Sequence, residues 1–328
     1  MPVIRTTPET GSMPLNSSRP LKVGLLLPET EGQLNGQTAG WSDLLAMTQA
    51  AEAVGFDSLW VTDHLIQRSD DGERGMWECW SLISAIAAVT SRVEIGTLVL
   101  STSFRNPAYL AKMADTVEEI SGARLILGLG AGWNEPEYRA FGYPFDHRVD
   151  RFEEAMTIIT GLLRDGRLDF RGSYYEVADC VLRPRGPRPQ GPPIMVGTSG
   201  SGPRMLRLAA RFADQWNLWF KTFNNRLEDL IQLQAGVDDA CREIGRDPST
   251  LARTAAIKVE VGPHGPSTMS TDPITGGPDE IADTLRQYAA AGISHVQVWP
   301  EPNTLDGIAA FEEIFAALDH APVNPTRG

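Results

Sequence analysis

Eight times along this 328-residue chain, a short apolar run is followed by apolar residues at helical spacing. The strand-like runs fall at 21–27, 56–62, 93–100, 124–130, 193–197, 214–220, around 253–261 and at 294–298. The intervening segments 41–54, 80–89, 107–120, 148–163, 204–212, 226–244, 279–290 and 305–318 read as helices. Strict alternation of this kind predicts a parallel sheet wrapped by helices. Eight units in this length predict a (β/α)8 TIM barrel, with an open eight-unit sheet the poorer fit.

Two stretches break the rhythm and predict insertions after strands 4 and 7. Residues 168–190 contain FRGSYYEV and then a proline-rich run, which reads as a hairpin and an extended link. Residues 262–278 form a Gly, Pro, Ser and Thr-rich loop of the length usual for lids or disordered segments. Following the seventh strand, it is expected on the carboxyl-end face, where barrels build their sites. Residues 1–20 are expected to be a loose arm, 21–322 a single barrel domain and 323–328 a tail.

With 42% apolar and 22% charged residues the chain can bury a large core. A net charge of −13 argues against a general nucleic-acid or anionic-membrane binder. The arm has no apolar run, so neither signal peptide nor anchor is expected there. No segment reaches about 18 consecutive apolar residues, so no membrane span is expected. Cys79, Cys180 and Cys241 are far apart, which fits incidental thiols in a reducing cytoplasm. The five histidines show neither HExxH nor paired spacing, so no metal is expected, and no GxSxG element is present.

The polar residues at strand ends are the candidates for chemistry. His64 follows the second strand, where an imidazole either handles a proton or bonds a neighbouring loop. Adjacent Asp63 cannot point the same way on extended backbone, so an Asp–His dyad is not assured. Gly96 inside the third strand marks a bulge or a close approach, and Asn106-Pro107 reads as a helix cap. The fourth strand opens into Gly130, Ala131, Gly132 and Trp133, then Asn134, Glu135 and Glu137, which is how an α/β enzyme edges a ligand site. A glycosidase would need a second acid at another strand end, for which Glu260 and Asp63 are weak candidates. The pairs Glu118/Glu119 and Glu153/Glu154 read as solvated helix faces. Gly197, Thr198, Ser199, Gly200, Ser201 and Gly202 precede a helix start and suit a phosphate, or form a ligand-free turn.

In order along the chain, GFDSLWVTDHL, VEIGTLVLSTSFRNPAYLAK, RLILGLGAGWNEPEYRAFGYPF, RFEEAMTII, YYEV, PIMVGTSGSGPRMLRLAARFADQWN and GISHVQV resemble the bacterial luciferase-like monooxygenase superfamily. Together they cover most of the chain after residue 20. Within the superfamily they are most similar to F420-dependent oxidoreductases.

The resemblance implies a flavin-type ring at the carboxyl ends of the strands. It would be backed by a bulge near Leu98–Val99, often with a cis peptide, and edged by Asp63, Thr97 and the fourth-strand residues. The loop 197–202 would hold its phosphate. His64 matches the histidine that deazaflavin-dependent members place near the reacting carbon. Where a sugar-phosphate dehydrogenase of the superfamily has a glutamate after the fourth-strand glycines, this chain has Trp133, so that activity is not carried over.

The function expected is F420-dependent hydride transfer to or from a small organic substrate. The alternatives are an FMN-dependent monooxygenase using O2 and a separate flavin reductase, and a non-catalytic flavin-binding barrel. A homodimer is usual in the superfamily. Arg183, Arg185 and Arg188 either contribute a basic groove for an acidic F420 tail or are solvated loop charges.

Overall fold

The computed structural model describes residues 19–69, 72–198, 202–262 and 271–320. Its eight parallel barrel strands are β1 (Lys22–Leu26), β2 (Ser58–Val61), β3 (Glu94–Thr97), β4 (Leu125–Gly130), β5 (Ile194–Thr198), β6 (Gln215–Leu218), β7 (Ala252–Glu260) and β8 (Ile293–Glu301). Sequence neighbours pair in parallel, β8 pairs with β1 through Val23↔Val296, and β4 pairs with β5 through Leu127↔Ile194. The sheet therefore closes into the predicted (β/α)8 barrel and leaves no open edge. Among the described residues no helix is long and apolar enough to cross a membrane.

Helices pack outside, each with a legible local cause. Asn106 caps Pro107–Ser121 by accepting from the Ala108 and Tyr109 amides, and Gly122 ends it in the left-handed region, as expected. The expected hairpin after the fourth helix is present as Arg167–Arg171 against Glu176–Val181. A second hairpin, Ile66–Ser69 with Gly72–Gly75, follows β2 and was not anticipated, because its exposed polar strands carry no apolar alternation. The last helix is two pieces, Leu305–Ala309 and Phe311–Asp319, rather than one. Arg19, at the end of the expected arm, is tied down by Asp319 at 2.8 Å and by the Gly55 carbonyl at 2.9 Å.

Inside the barrel, Trp60 from β2 fills the space beside β1 and β3. A Cβ on Gly96 would sit 2.1 Å from the Trp60 ring, and one on Gly24 2.4 Å from its indole nitrogen. Gly96 thus marks a close approach rather than a bulge. The Trp60 indole N–H donates to Ser58 at 2.7 Å, and Ser58 Oγ lies 2.7 Å from His295 Nε2. Burial, aided by Lys22, pushes His295 down to about 3, so it is neutral there.

Three charge readings are revised. Glu118 is not a solvated face: it is fully buried and pairs with Arg188, which also donates to the Leu125 carbonyl at 2.6 Å. Arg185 bonds Asp115 at 3.1 Å, and Arg183 lines a cavity of about 410 Å³ with Asp165 and Arg167. Leu125 begins β4, so Arg188 braces the amino-terminal face, away from the strand ends. Glu154 likewise accepts the backbone N–H groups of Ser173, Tyr174 and Tyr175, which holds the hairpin turn onto its helix.

Candidate active site

At the carboxyl ends of β3, β4 and β5 small residues surround Val99. β3 stops at Thr97, the Leu98–Val99 peptide is cis, and Leu100–Ser101 resumes pairing beside Leu129 and Gly130. The interruption thus sits where the family resemblance implied it. Leu98 stays on the ladder through its N–H to the Val61 carbonyl at 2.9 Å. Thr97 is buried, and its hydroxyl donates to the Gly128 carbonyl at 2.8 Å while accepting the Gly128 N–H at 3.0 Å. A Cβ on Gly130 would come within 2.8 Å of Val99, and one on Gly197 within 3.0 Å. Glycine at both positions keeps a low floor on either side of that side chain. Gly202 has nothing within 4 Å of a built Cβ, so the start of helix Pro203–Phe212 opens to solvent. Thr198 accepts the Trp216 indole N–H at 3.0 Å. Ser199, Gly200 and Ser201 lie outside the described residues, as do residues 263–270 of the expected lid. The return of that loop is described: Ile274 bonds the Lys258 carbonyl, and the Glu260 N–H bonds Ile274, each at 2.9 Å.

Beyond β4 the chain turns at Gly132, where φ is +75° and a Cβ would fall 1.7 Å from the Tyr138 hydroxyl. That hydroxyl bonds Ser101 and donates to the Ala131 carbonyl at 3.1 Å. The turn delivers the short helix Glu135–Phe141, whose Glu137 is almost fully buried. Glu137 Oε1 lies 2.9 Å from His64 Nδ1, and Oε2 accepts the Leu65 N–H at 2.9 Å. A carboxylate on Nδ1 leaves the other ring nitrogen, Nε2, for another partner.

Burial pushes His64 down, but the Glu137 hydrogen bond and the charges of Glu137, Asp63 and Glu29 outweigh it. The imidazole is held above its ordinary value, towards the protonated form. Trp133 is 67% exposed and meets the His64 ring edge-on, with centroids 5.4 Å apart. It walls the histidine rather than sitting deep under a ligand.

Asp63 faces away from His64, as extended backbone requires. Its carboxylate takes the Ser101 N–H at 2.9 Å and a two-pronged bond from Arg105 at 2.7 and 2.9 Å. Arg105 also reaches Glu78, the cap of helix Cys79–Val89, at 2.7 Å. Asp63 therefore fastens the segment after the cis peptide to the end of β2.

The sequence reading missed one residue altogether. Glu29 lies just beyond β1 and is 1% exposed; its Oε1 accepts the Thr62 hydroxyl and, among the described residues, its Oε2 has no hydrogen-bond partner. Burial pushes its carboxyl up to about 7 against the lowering effects of Thr62 and His64. An acid two residues past an apolar strand was the available signal.

A family model described as luciferase-like monooxygenase matches residues 21–268. The chain belongs to that family. Its relatives carry dehydrogenase and monooxygenase names. It is 35% identical over 180 residues to the F420-dependent glucose-6-phosphate dehydrogenase of Amycolatopsis mediterranei, a match covering 53% of this chain and 52% of that protein. The chain thus spans only about half the length of that relative. It is 35% identical over 311 residues to the pyrimidine monooxygenase RutA of Agrobacterium fabrum, covering 86% of this chain and 81% of that one. An F420-dependent secondary alcohol dehydrogenase, solved with an F420–acetone adduct, superposes with a TM-score of 0.72 at 22% identity, covering 91% and 99% of the two chains. At that identity the likeness shows the shared barrel fold.

Proposed function

We propose that this luciferase-like enzyme is an F420-dependent oxidoreductase acting on a small organic substrate. The carrying observation is the His64–Glu137 pair beside a floor of small residues around Val99. The floor fits a flat ring. Leu98, Val99, Gly130, Ala131 and Gly132 would back it, with Gly197, Thr198 and the loop to Gly202 taking its phosphate. When bound, a deazaflavin supplies the hydride chemistry, which this chain's side chains cannot.

The chain's own groups handle the proton. His64, held above its ordinary value, is placed to give a proton to a substrate oxygen and to take one back in the reverse direction. Glu137 orients the ring and balances its charge, while Trp133 offers an apolar wall and shields the pair from water.

The F420-dependent relative supports this cofactor. The longer RutA match favours a second reading, an FMN-dependent monooxygenase served by a separate reductase. Anaerobic titration of the purified protein with F420 and with oxidised and reduced FMN separates the two. The expected result is tight F420 binding with none for FMN. A preference for reduced FMN overturns the cofactor assignment and leaves the proton chemistry of His64 to be tested on its own.

A further inference from the structure

Three carboxyl groups bias the charge of His64, and they are not equivalent. Glu137 is committed to His64 itself and to the Leu65 N–H. Asp63 is neutralised by Arg105 and bonded by Ser101. Glu29 is different: among the described residues no cation pairs with it, and Oε2 is buried without a partner.

Its position is built by the ladder. β1 and β2 run in register through Leu26↔Trp60, and the Leu27 N–H continues to the Trp60 carbonyl at 3.0 Å. Two residues further on each strand come Glu29 and Thr62, joined side chain to side chain. His64 is two residues beyond Thr62. The Glu29 backbone is pinned by its own N–H to Leu27 and by the Trp77 N–H on its carbonyl, each at 3.1 Å. The acid is therefore fixed in place and kept from water.

We propose that Glu29 is a second proton-holding group of this site, a positioning residue just beyond β1 whose protonation biases the charge of His64. It rests on reading His64 as the proton carrier. With Trp133 rather than an acid after the β4 glycines, Glu29 is the described carboxyl near His64 free to change its charge. A carboxyl held up to about 7 is poised to do so near neutrality. When neutral, Glu29 leaves Glu137 and Asp63 as the anions biasing His64; when ionised, it adds a third and makes the imidazolium harder to discharge. The other ionisable groups nearby are Cys79, whose thiol is pushed well up by burial, and Glu78, which is held low by its capping bonds.

The test uses the cofactor-free full chain, so it does not depend on F420 or FMN binding. Histidine ring resonances are followed by NMR from pH 5 to 9 in wild type, Glu29→Gln and Thr62→Val, with His64→Asn assigning the signal. Glu29→Gln is expected to move the His64 midpoint down by about half a unit or more. Thr62→Val, which removes the bond that keeps Glu29 acidic, should move it the same way by less. Difference infrared spectra should show a protonated-carboxyl band near pH 6 that is lost by pH 9 and absent from Glu29→Gln. A His64 midpoint unmoved in both variants, or no band attributable to Glu29, overturns the proposal. A shifted midpoint in a protein that binds neither cofactor would sustain it while removing the proposed function.

Discussion

His64 Nδ1 and Glu137 Oε1 lie 2.9 Å apart although 73 positions separate the residues in the chain. One stands at the end of β2 and the other on the helix that follows β4, so the side-by-side order β2–β3–β4 and the turn after β4 bring them together. The pair matters because a buried imidazole would otherwise lose its proton.

Replacing Glu137 with Gln keeps a hydrogen-bond acceptor and removes the charge. The His64 midpoint should then fall, because the nearest charge that offsets burial is gone. The sign follows for stability: a histidine with a raised folded value stabilises the fold below its ordinary value of 6.5 and ceases to do so as pH rises through the raised one. Glu137→Gln should therefore lower the melting temperature more at pH 5.5 than at pH 9. An equal loss at both would remove the charge from the explanation.

Replacing His64 with Asn should lower turnover by about 10²-fold or more, the usual range for a lost general acid–base, while cofactor affinity changes only a few-fold. Steady-state kinetics beside fluorescence titration would check this. Unchanged turnover takes His64 out of the mechanism.

Glu29→Gln should be the more stable protein at high pH. Glu29 titrates at about 7 in the fold against 4.5 ordinarily, so its contribution is intact below 4.5 and is lost as pH rises to about 7. The variant escapes that loss, which is about 3 kcal/mol. Thermal unfolding at pH 4 and pH 8.5 should show a gain for the variant confined to the higher pH. A difference independent of pH would sink this account.

Gly96→Ala should destabilise the barrel without touching the strand-end residues. The added Cβ falls 2.1 Å from the Trp60 ring, and overpacking of a filled core costs about 1–3 kcal/mol. A lowered melting temperature is expected, and a neutral outcome would mean that Trp60 has room to move.

Much of this architecture was legible in the chain. The alternation of apolar runs and helical spacing depends on short-range burial, and every barrel strand and helix was anticipated within a few residues. His64 at a strand end and the cap at Asn106 were also readable, because strand ends and Asn-Pro steps act locally, while the interruption at Leu98–Val99 came from the family resemblance. The hairpin at residues 66–75 was not, since polar exposed strands leave no pattern.

What the sequence by itself determined is the barrel, the face that carries the site and the kind of residues gathered there. Which residues pair was decided by the tertiary structure alone. Glu137 read only as one of the acids edging a ligand site until the turn at Gly132 carried it onto His64. Glu118 resembled a solvated charge until Arg188 met it under β4. Glu29 had no signal beyond its place after β1, because its meaning comes from burial beside Thr62. The reason is common to all three: a carboxyl's charge is set by the solvent it loses and the partners it gains, and both come from distant parts of the chain.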